Sequence, residues 1–181
     1  MNNWAVVYTS VTGNTEKLAK AMAEELGCDC FTTDNAPEDL SKYDVIVAGY
    51  WLRLGGPADK MKAFLQKINN KTVVFFQTHG AYAGSEHAIT SFARAGSMLG
   101  EDCYVLGTFS LQGELNPALI AKRSNMPQDK HHGATPENIA RWEAAKGHPD
   151  ENDLIKAKEF IREMTGRYAR MLQRMKKVIM Q

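Results

Sequence analysis

Apolar residues along the chain follow two alternating rhythms. Short continuous runs occur at Trp4–Thr9, Cys28–Thr33, Asp44–Tyr50, Thr72–Thr78 and Cys103–Phe109. Each has the length of a strand. In "DVIVAGY" and "TVVFFQT" successive positions are apolar, as a strand covered by helices on both faces requires. Between the runs the period changes to that of a helix. Ala19, Met22, Ala23 and Leu26 make an i, i+3, i+4, i+7 stripe within Asn14–Leu26, and the same rhythm predicts helices over Pro57–Ile68 and Ser85–Leu99. Strands alternating with helices predict repeated βα units around a parallel sheet.

The alternation stops at Leu111. From there to Gly147 the chain is polar, carries Pro117, Pro127 and Pro136, and includes the basic, histidine-rich "AKRSNMPQDKHHG". One short helix is predicted inside it, over Pro136–Lys146. This excursion leaves the C-terminal end of the fifth strand, the end at which open α/β sheets bind ligands. A last helix is predicted from near Pro149, with proline at an early helical position and Asp150, Glu151 and Asp153 in its first turn. Its apolar positions run Leu154, Ala157, Ile161, Met164, Tyr168, Met171, Met175, Val178, alternating by threes and fours for about three heptads. Gly166 either breaks this helix or only weakens it, by about 1 kcal/mol relative to alanine.

Composition narrows the class. The 181 residues suffice for one domain with a substantial core, and 44% hydrophobic with 24% charged residues is a globular balance. No apolar run approaches the roughly 18 residues of a membrane span, and the N-terminus lacks the basic and apolar segments of a signal peptide. The cysteine count of three is odd, and Cys28 and Cys30 are poorly placed to pair, so a cytoplasmic protein is expected. A net charge of +1 argues against a dedicated nucleic-acid binder. The charge is uneven, however: the tail "GRYARMLQRMKKVIMQ" carries Arg167, Arg170, Arg174, Lys176 and Lys177 and no acid.

The first strand breaks into "TSVTGNT", Thr9 to Thr15, directly before the first helix. A helix N-terminus presents unpaired N–H groups and the positive end of a dipole, so anions bind there. A nucleotide-triphosphate loop would need a lysine after its second glycine, and a dinucleotide fold would need three glycines. Neither is present. What fits is a grip on one small terminal phosphate, with hydroxyls from Ser10, Thr12 and Thr15 and amides around Gly13 and Asn14. The plainer alternative is a helix cap, for which one Ser, Thr or Asn is enough.

"SVTGNT" resembles the [ST]-x-T-G-x-T phosphate loop of flavodoxins, which bind flavin mononucleotide (FMN) non-covalently. Two further loops match in position. "GYWLRLGGP", Gly49 to Pro57, follows the third strand, and "QTHGAYAGSEHA", Gln77 to Ala88, follows the fourth. Together these cover about the first 110 residues, and the final helix is similar to that of many short flavodoxin-like proteins. The resemblance implies an α/β fold of the flavodoxin-like, doubly wound type. Its sheet has five parallel strands in the order 2-1-3-4-5 with helices on both faces. Residues 1–165 form the domain, with an excursion at about 111–148, and 166–181 form a basic, methionine-rich extension.

The resemblance also implies chemistry. Trp51 becomes the slab for the flavin ring, with core packing as its alternative, and Tyr82 covers the other ring face. Leu52, Thr78 and Gly80 belong to the same two loops. Gly55 and Gly56 supply a peptide that can reorient on reduction and favour one-electron transfer, or simply end the loop. His79 stands where the family has a small residue; it either stabilises charge on the reduced flavin or points outward, leaving only its amide to the cofactor. Arg53 is either a cation at the ring edge or a solvated loop charge. No metal site is predicted, because His131, His132 and His148 do not keep ligand spacing. No catalytic nucleophile–base pair or carboxylate pair stands out either. The implied function is electron shuttling between a reductase and a dedicated acceptor enzyme. The alternative is an FMN-dependent NAD(P)H:quinone-type oxidoreductase with the excursion as substrate lid. Some flavodoxin-like proteins of anaerobes assist dedicated reductases, bilin reductases among them. The implied partners are redox proteins, and the tail is either packed on its own domain, a homodimer contact or a docking segment.

Overall fold

A computed structural model describes residues 3–82, 84–127 and 132–180. The elements in chain order are β1 (Trp4–Tyr8), α1 (Asn14–Leu26), β2 (Asp29–Thr32), β3 (Val45–Arg53), β4 (Gly56–Pro57) and α2 (Asp59–Leu65). They continue with β5 (Thr72–His79), α3 (Glu86–Gly96), β6 (Tyr104–Gln112), α4 (Pro117–Ser124), α5 (Pro136–Ala144) and α6 (Glu151–Ile179). Five strands pair in parallel in the order β2-β1-β3-β5-β6, which is the expected five-stranded order. The sixth, β4, was not foreseen. It folds back antiparallel on β3, pairing Leu52 with Pro57 and Arg53 with Gly56. The two-residue loop between them, Leu54-Gly55, has φ of 50° and 78°, the double positive φ that suits the twist of a tight hairpin.

Strand alternation explains the continuous apolar runs. Val45 and Val47 of β3 face one layer, with Leu18 and Met22 of α1 and Ile161 and Met164 of α6. Ile46 and Ala48 face the other, with Met61 and Leu65 of α2 and with Phe75 of β5. Both faces of the central strands are therefore dry, and each must be apolar.

The later part of the chain differs from expectation in two respects. Pro149 lies before α6, joined to His148 by a cis peptide bond, and the N-cap is Asp150. Asp150 and Asp153 cap reciprocally: the Asp153 amide donates to Asp150 Oδ1 at 2.9 Å and the Asp150 amide to Asp153 Oδ2 at 3.1 Å. Gly166 does not interrupt α6, which runs through it for 29 residues in all. Within the excursion, α4 was missed, although Asn116-Pro117 is a helix start: Asn116 Oδ1 accepts from the Ala118 amide at 2.9 Å.

Candidate functional site

The strand-to-helix corner is built around a glycine. The Thr9 amide still donates to Gly49 O at 2.9 Å, and the chain then leaves the sheet. Ser10 Oγ accepts from the Gly13 amide at 3.2 Å and closes the turn. Gly13 is the N-cap of α1 at φ 90°, and nothing lies within 4 Å of where a Cβ would stand, so the need for glycine there is one of backbone conformation alone. An N-cap without a side chain leaves the amides of the first helical turn with no side-chain acceptor. The helix-cap alternative is thereby removed, and the arrangement suits an anion.

The hydroxyls do not all point outward. Thr12 is exposed beside Val11, while Thr15 is 1% exposed and its Oγ1 lies 2.8 Å from Thr78 Oγ1. One hydroxyl of that pair donates and the other accepts, joining α1 to β5. Asn14 Nδ2 donates to Glu114 O at 2.8 Å, across one hundred residues. Gly113 stands directly over it; a Cβ there would come within 2.7 Å of Asn14 Nδ2. The start of the excursion is thus seated on the corner, a contact with no signal in the sequence beyond one glycine after a strand.

Trp51 ends the parallel part of β3, in register with Thr78 and on the same face, half-buried rather than in either core layer. Leu52 is half-buried and pairs with Pro57 in the hairpin. Arg53 is exposed and ion-paired with Asp59 of α2. At the hairpin tip Leu54 is 88% exposed. Gly55 is buried, and its carbonyl accepts from Arg94 Nη1 at 3.0 Å, with Leu54 O at 3.4 Å from the same nitrogen. Arg94 of α3 therefore braces this loop, a role the sequence pattern did not show.

His79 does not point outward. It is 6% exposed, with Nδ1 3.1 Å from Ala81 O and Nε2 2.7 Å from Ser110 Oγ. A carbonyl can only accept, so Nδ1 carries the hydrogen and Nε2 accepts from Ser110. Burial holds the pKa of this histidine below its ordinary value, opposed by the Ala81 carbonyl and helped by nearby His87, and the ring is neutral. Ser110 Oγ also accepts from Gln77 Nε2 at 3.0 Å; Gln77 in turn donates to Ala88 O at 2.6 Å and takes a short hydrogen bond from Ser91. This buried chain fastens the end of β5 to β6 and α3 and so fixes the loop beyond His79. In that loop Leu115 occupies the space beside Gly80, where a Cβ would fall 2.8 Å from its Cδ1. Leu115 packs in turn on Trp142 of α5 and on Ala145. Tyr82 is 45% exposed, and its carbonyl accepts from the Ser85 amide at 3.2 Å.

The corner, Trp51 and the His79–Tyr82 loop thus lie together at the C-terminal edge of the sheet, with the excursion packed on two of the three loops. Elsewhere, His148, Asp150 and Asp153 have ligand atoms within 4.8 Å of one another, but their bonds are those of the α6 cap, with His148 Nδ1 on Asp153. His131 lies outside the described residues.

A sequence model of the flavodoxin domain matches residues 5–162. The chain belongs to the flavodoxin domain family. It is similar to the flavodoxin-like domain-containing protein BilS of Clostridioides difficile (strain CD3), with 29% identity over 168 residues, 88% of this chain and 94% of that protein. To the protein of the same name from Clostridium symbiosum (strain WAL-14163) it is 25% identical over 178 residues, covering 87% and 93%. Among solved structures, oxidised flavodoxin 2 of Bacillus cereus superposes with a TM-score of 0.57 at 19% identity, over 91% of this chain and 98% of that one. A short-chain flavodoxin associated with a bacterial microcompartment gives 0.56 at 15% identity, over 92% and 98%. Within this flavodoxin domain the three loops stand at the C-terminal end of the parallel strands, the end at which open α/β sheets bind ligands. The family match ends at residue 162, part-way along α6, which runs on to Ile179.

Proposed function

We propose that this flavodoxin domain binds FMN at the C-terminal edge of its sheet and carries electrons between a reductase and a dedicated acceptor enzyme. The observation that carries the reading is the first turn of α1, whose N-cap is Gly13 and whose amides have no side-chain acceptor. A terminal phosphate satisfies those amides and the helix dipole together. The Thr12 hydroxyl is exposed beside them. Ser10 keeps its O–H to donate while its oxygen serves Gly13, and the accepting hydroxyl of the Thr15–Thr78 pair keeps its own proton. Glu16, the acid of the first turn, is drawn to Lys20 at 2.7 Å, so it does not stand unpaired against a phosphate.

Bound FMN supplies the one- and two-electron chemistry. The chain's own residues hold and shield it. Asn14, Thr15 and Thr78 fix the corner, Trp51 offers an aromatic plane on the same sheet face, and Leu52, Arg53 and Gly55 form the rim of the third-strand loop. The His79 and Gly80 amides and Tyr82 provide the opposite rim. His79 serves as an anchor, since both ring nitrogens are engaged, one by Ala81 O and the other by Ser110 Oγ. Three free cysteines fit a reducing compartment, and among the described residues no helix is long and apolar enough to cross a membrane.

The second reading, an NAD(P)H:quinone-type oxidoreductase, draws on the excursion, which packs through Gly113 and Leu115 onto two of the three loops as a substrate cover would. Two assays separate these readings. Purified protein mixed with FMN and dialysed is expected to stay yellow; colourless protein overturns both. Steady NAD(P)H oxidation with a quinone by the yellow protein alone supports the enzyme, and turnover only with an added reductase supports the carrier.

A further inference from the structure

Helix α6 runs for 29 residues, about 44 Å at 1.5 Å per residue. It starts beside the end of β6, where the Glu114 amide donates to His148 O at 2.8 Å. It then runs back along the sheet, with Met164 filling the place that Gly107 leaves open. At Tyr168 it reaches Trp4, the first residue of β1, ring edge to ring face with centroids 5.8 Å apart. By that point α6 has crossed the sheet from the C-terminal to the N-terminal ends of its strands. Eleven more residues carry it to Ile179, about 16 Å further at 1.5 Å per residue.

This overhang has two stripes. The apolar one that holds α6 to the domain continues past it: Met171 still touches the core, but Met175 and Val178 are 52% and 73% exposed. Beside it Arg167, Arg170 and Arg174, against the one acid Glu163, line a groove between α6 and Tyr104 at the start of β6, an edge strand. Two turns earlier Lys158 and Arg162 are paired with Glu24 and Glu25 of α1. Among the described residues, neither Arg167 nor the four cations of the overhang, Arg170, Arg174, Lys176 and Lys177, has such a partner.

We propose that the overhang of α6 is a docking arm for a protein partner that presents an acidic, amphipathic helical surface. Four cations on eleven residues that hold no acid, none of them ion-paired among the described residues, call for negative charge, and the exposed Met175 and Val178 call for apolar contact within it. A second copy does not meet this need, because arm against arm sets four cations against four. An anionic membrane meets the charge, but Met175, Val178 and Met180 include no aromatic anchor and offer little apolar surface to insert. The arm stands at the opposite end of the sheet from the corner at Gly13. A partner that holds it therefore leaves the flavin edge free, so one protein can tether the carrier while another exchanges electrons with it. The inference rests on the arm alone and does not require flavin.

The test uses the full chain and, as probe, a synthetic three-heptad helical peptide with leucine at a and d and glutamate at the remaining positions. Binding is followed by fluorescence anisotropy, with phosphatidylglycerol vesicles and sedimentation velocity on the same samples. Saturable 1:1 binding is expected. It should weaken at least roughly tenfold in Arg170→Glu/Arg174→Glu and fall steeply as salt rises from about 0.1 M to about 1 M. Met175→Ser, which leaves every charge in place, should also weaken it. Equal affinity in the arginine variant overturns the proposal. An unaffected Met175→Ser reduces the effect to bulk charge attraction and overturns it too. Vesicle binding without peptide binding would assign the arm to a membrane, and a dimer abolished by the arginine variant would assign it to a second copy.

Discussion

Replacing Thr15 by valine removes a hydroxyl and changes little else about the side chain's shape. Thr15 is 1% exposed and Thr78 is 3% exposed, and their hydroxyls are 2.8 Å apart. Thr15→Val leaves the Thr78 hydroxyl buried without this partner, which costs about 1–3 kcal/mol. In a domain of this length each kcal/mol moves the melting temperature by about 2–4 °C. The double variant Thr15→Val/Thr78→Val replaces both partners by apolar groups of the same shape, which is close to neutral. The cycle should therefore be strongly non-additive, with the second substitution restoring most of what the first removed. Urea denaturation of the FMN-free protein reads this directly, as a lower midpoint for each single variant and a near-normal one for the double, with unchanged slope. Full stability of Thr15→Val in the absence of FMN would refute the bond and return the Thr15 hydroxyl to the phosphate alone.

The remaining expectations concern the loops around the corner. Gly13→Ala and Gly27→Ala both place alanine at positive φ with open space around it, so each should lose about 1 kcal/mol of stability. Only Gly13→Ala should also weaken FMN binding, measured by flavin fluorescence; equal losses for both would deny the corner its role. Gly113→Ala pushes a methyl against the Asn14 side chain and should weaken FMN binding with a stability loss of about 1–3 kcal/mol; a silent substitution would mean that the excursion does not brace the corner. His79 is held neutral, with its native pKa below the ordinary 6.5, so the folded protein binds fewer protons there than the unfolded chain. Its contribution is complete above the unfolded value and is lost as pH falls through it, by at most about 1.4 kcal/mol per pH unit, levelling off once the folded ring protonates. Between about pH 7.5 and pH 5.5 the wild type should lose more stability than His79→Gln, and parallel pH profiles would contradict the buried neutral ring.

Much of the fold was legible because it is written in local rules. Continuous apolar runs and 3.6-residue periods placed the five parallel strands and α1, and the glycine and hydroxyl cluster marked the corner. What was missed depends on contacts between distant parts of the chain. The β4 hairpin puts Leu54 at φ 50°, a conformation leucine rarely signals, and Arg94 braces it from α3, some forty residues away. The inward turn of His79 depends on Ser110 standing opposite Gln77, its neighbour two residues back, and only strand register places it there. Asn14 gains a partner from Glu114 at the start of the excursion, which read as polar with one short helix further on. Gly166 was ambiguous by propensity alone; packing on either side of it keeps α6 whole.

The central claim is that the corner at Gly13 binds a phosphate and thereby tethers a flavin. Titrating the apoprotein with FMN and with riboflavin, which lacks the phosphate, tests it most directly. The charge-assisted bonds to the first-turn amides contribute about 1.5–3 kcal/mol each, so two of them amount to at least about 100-fold in affinity. FMN should bind at least that much more tightly than riboflavin, and Gly13→Ala should narrow the gap. Equal affinities for the two flavins, or binding of neither, would contradict the account.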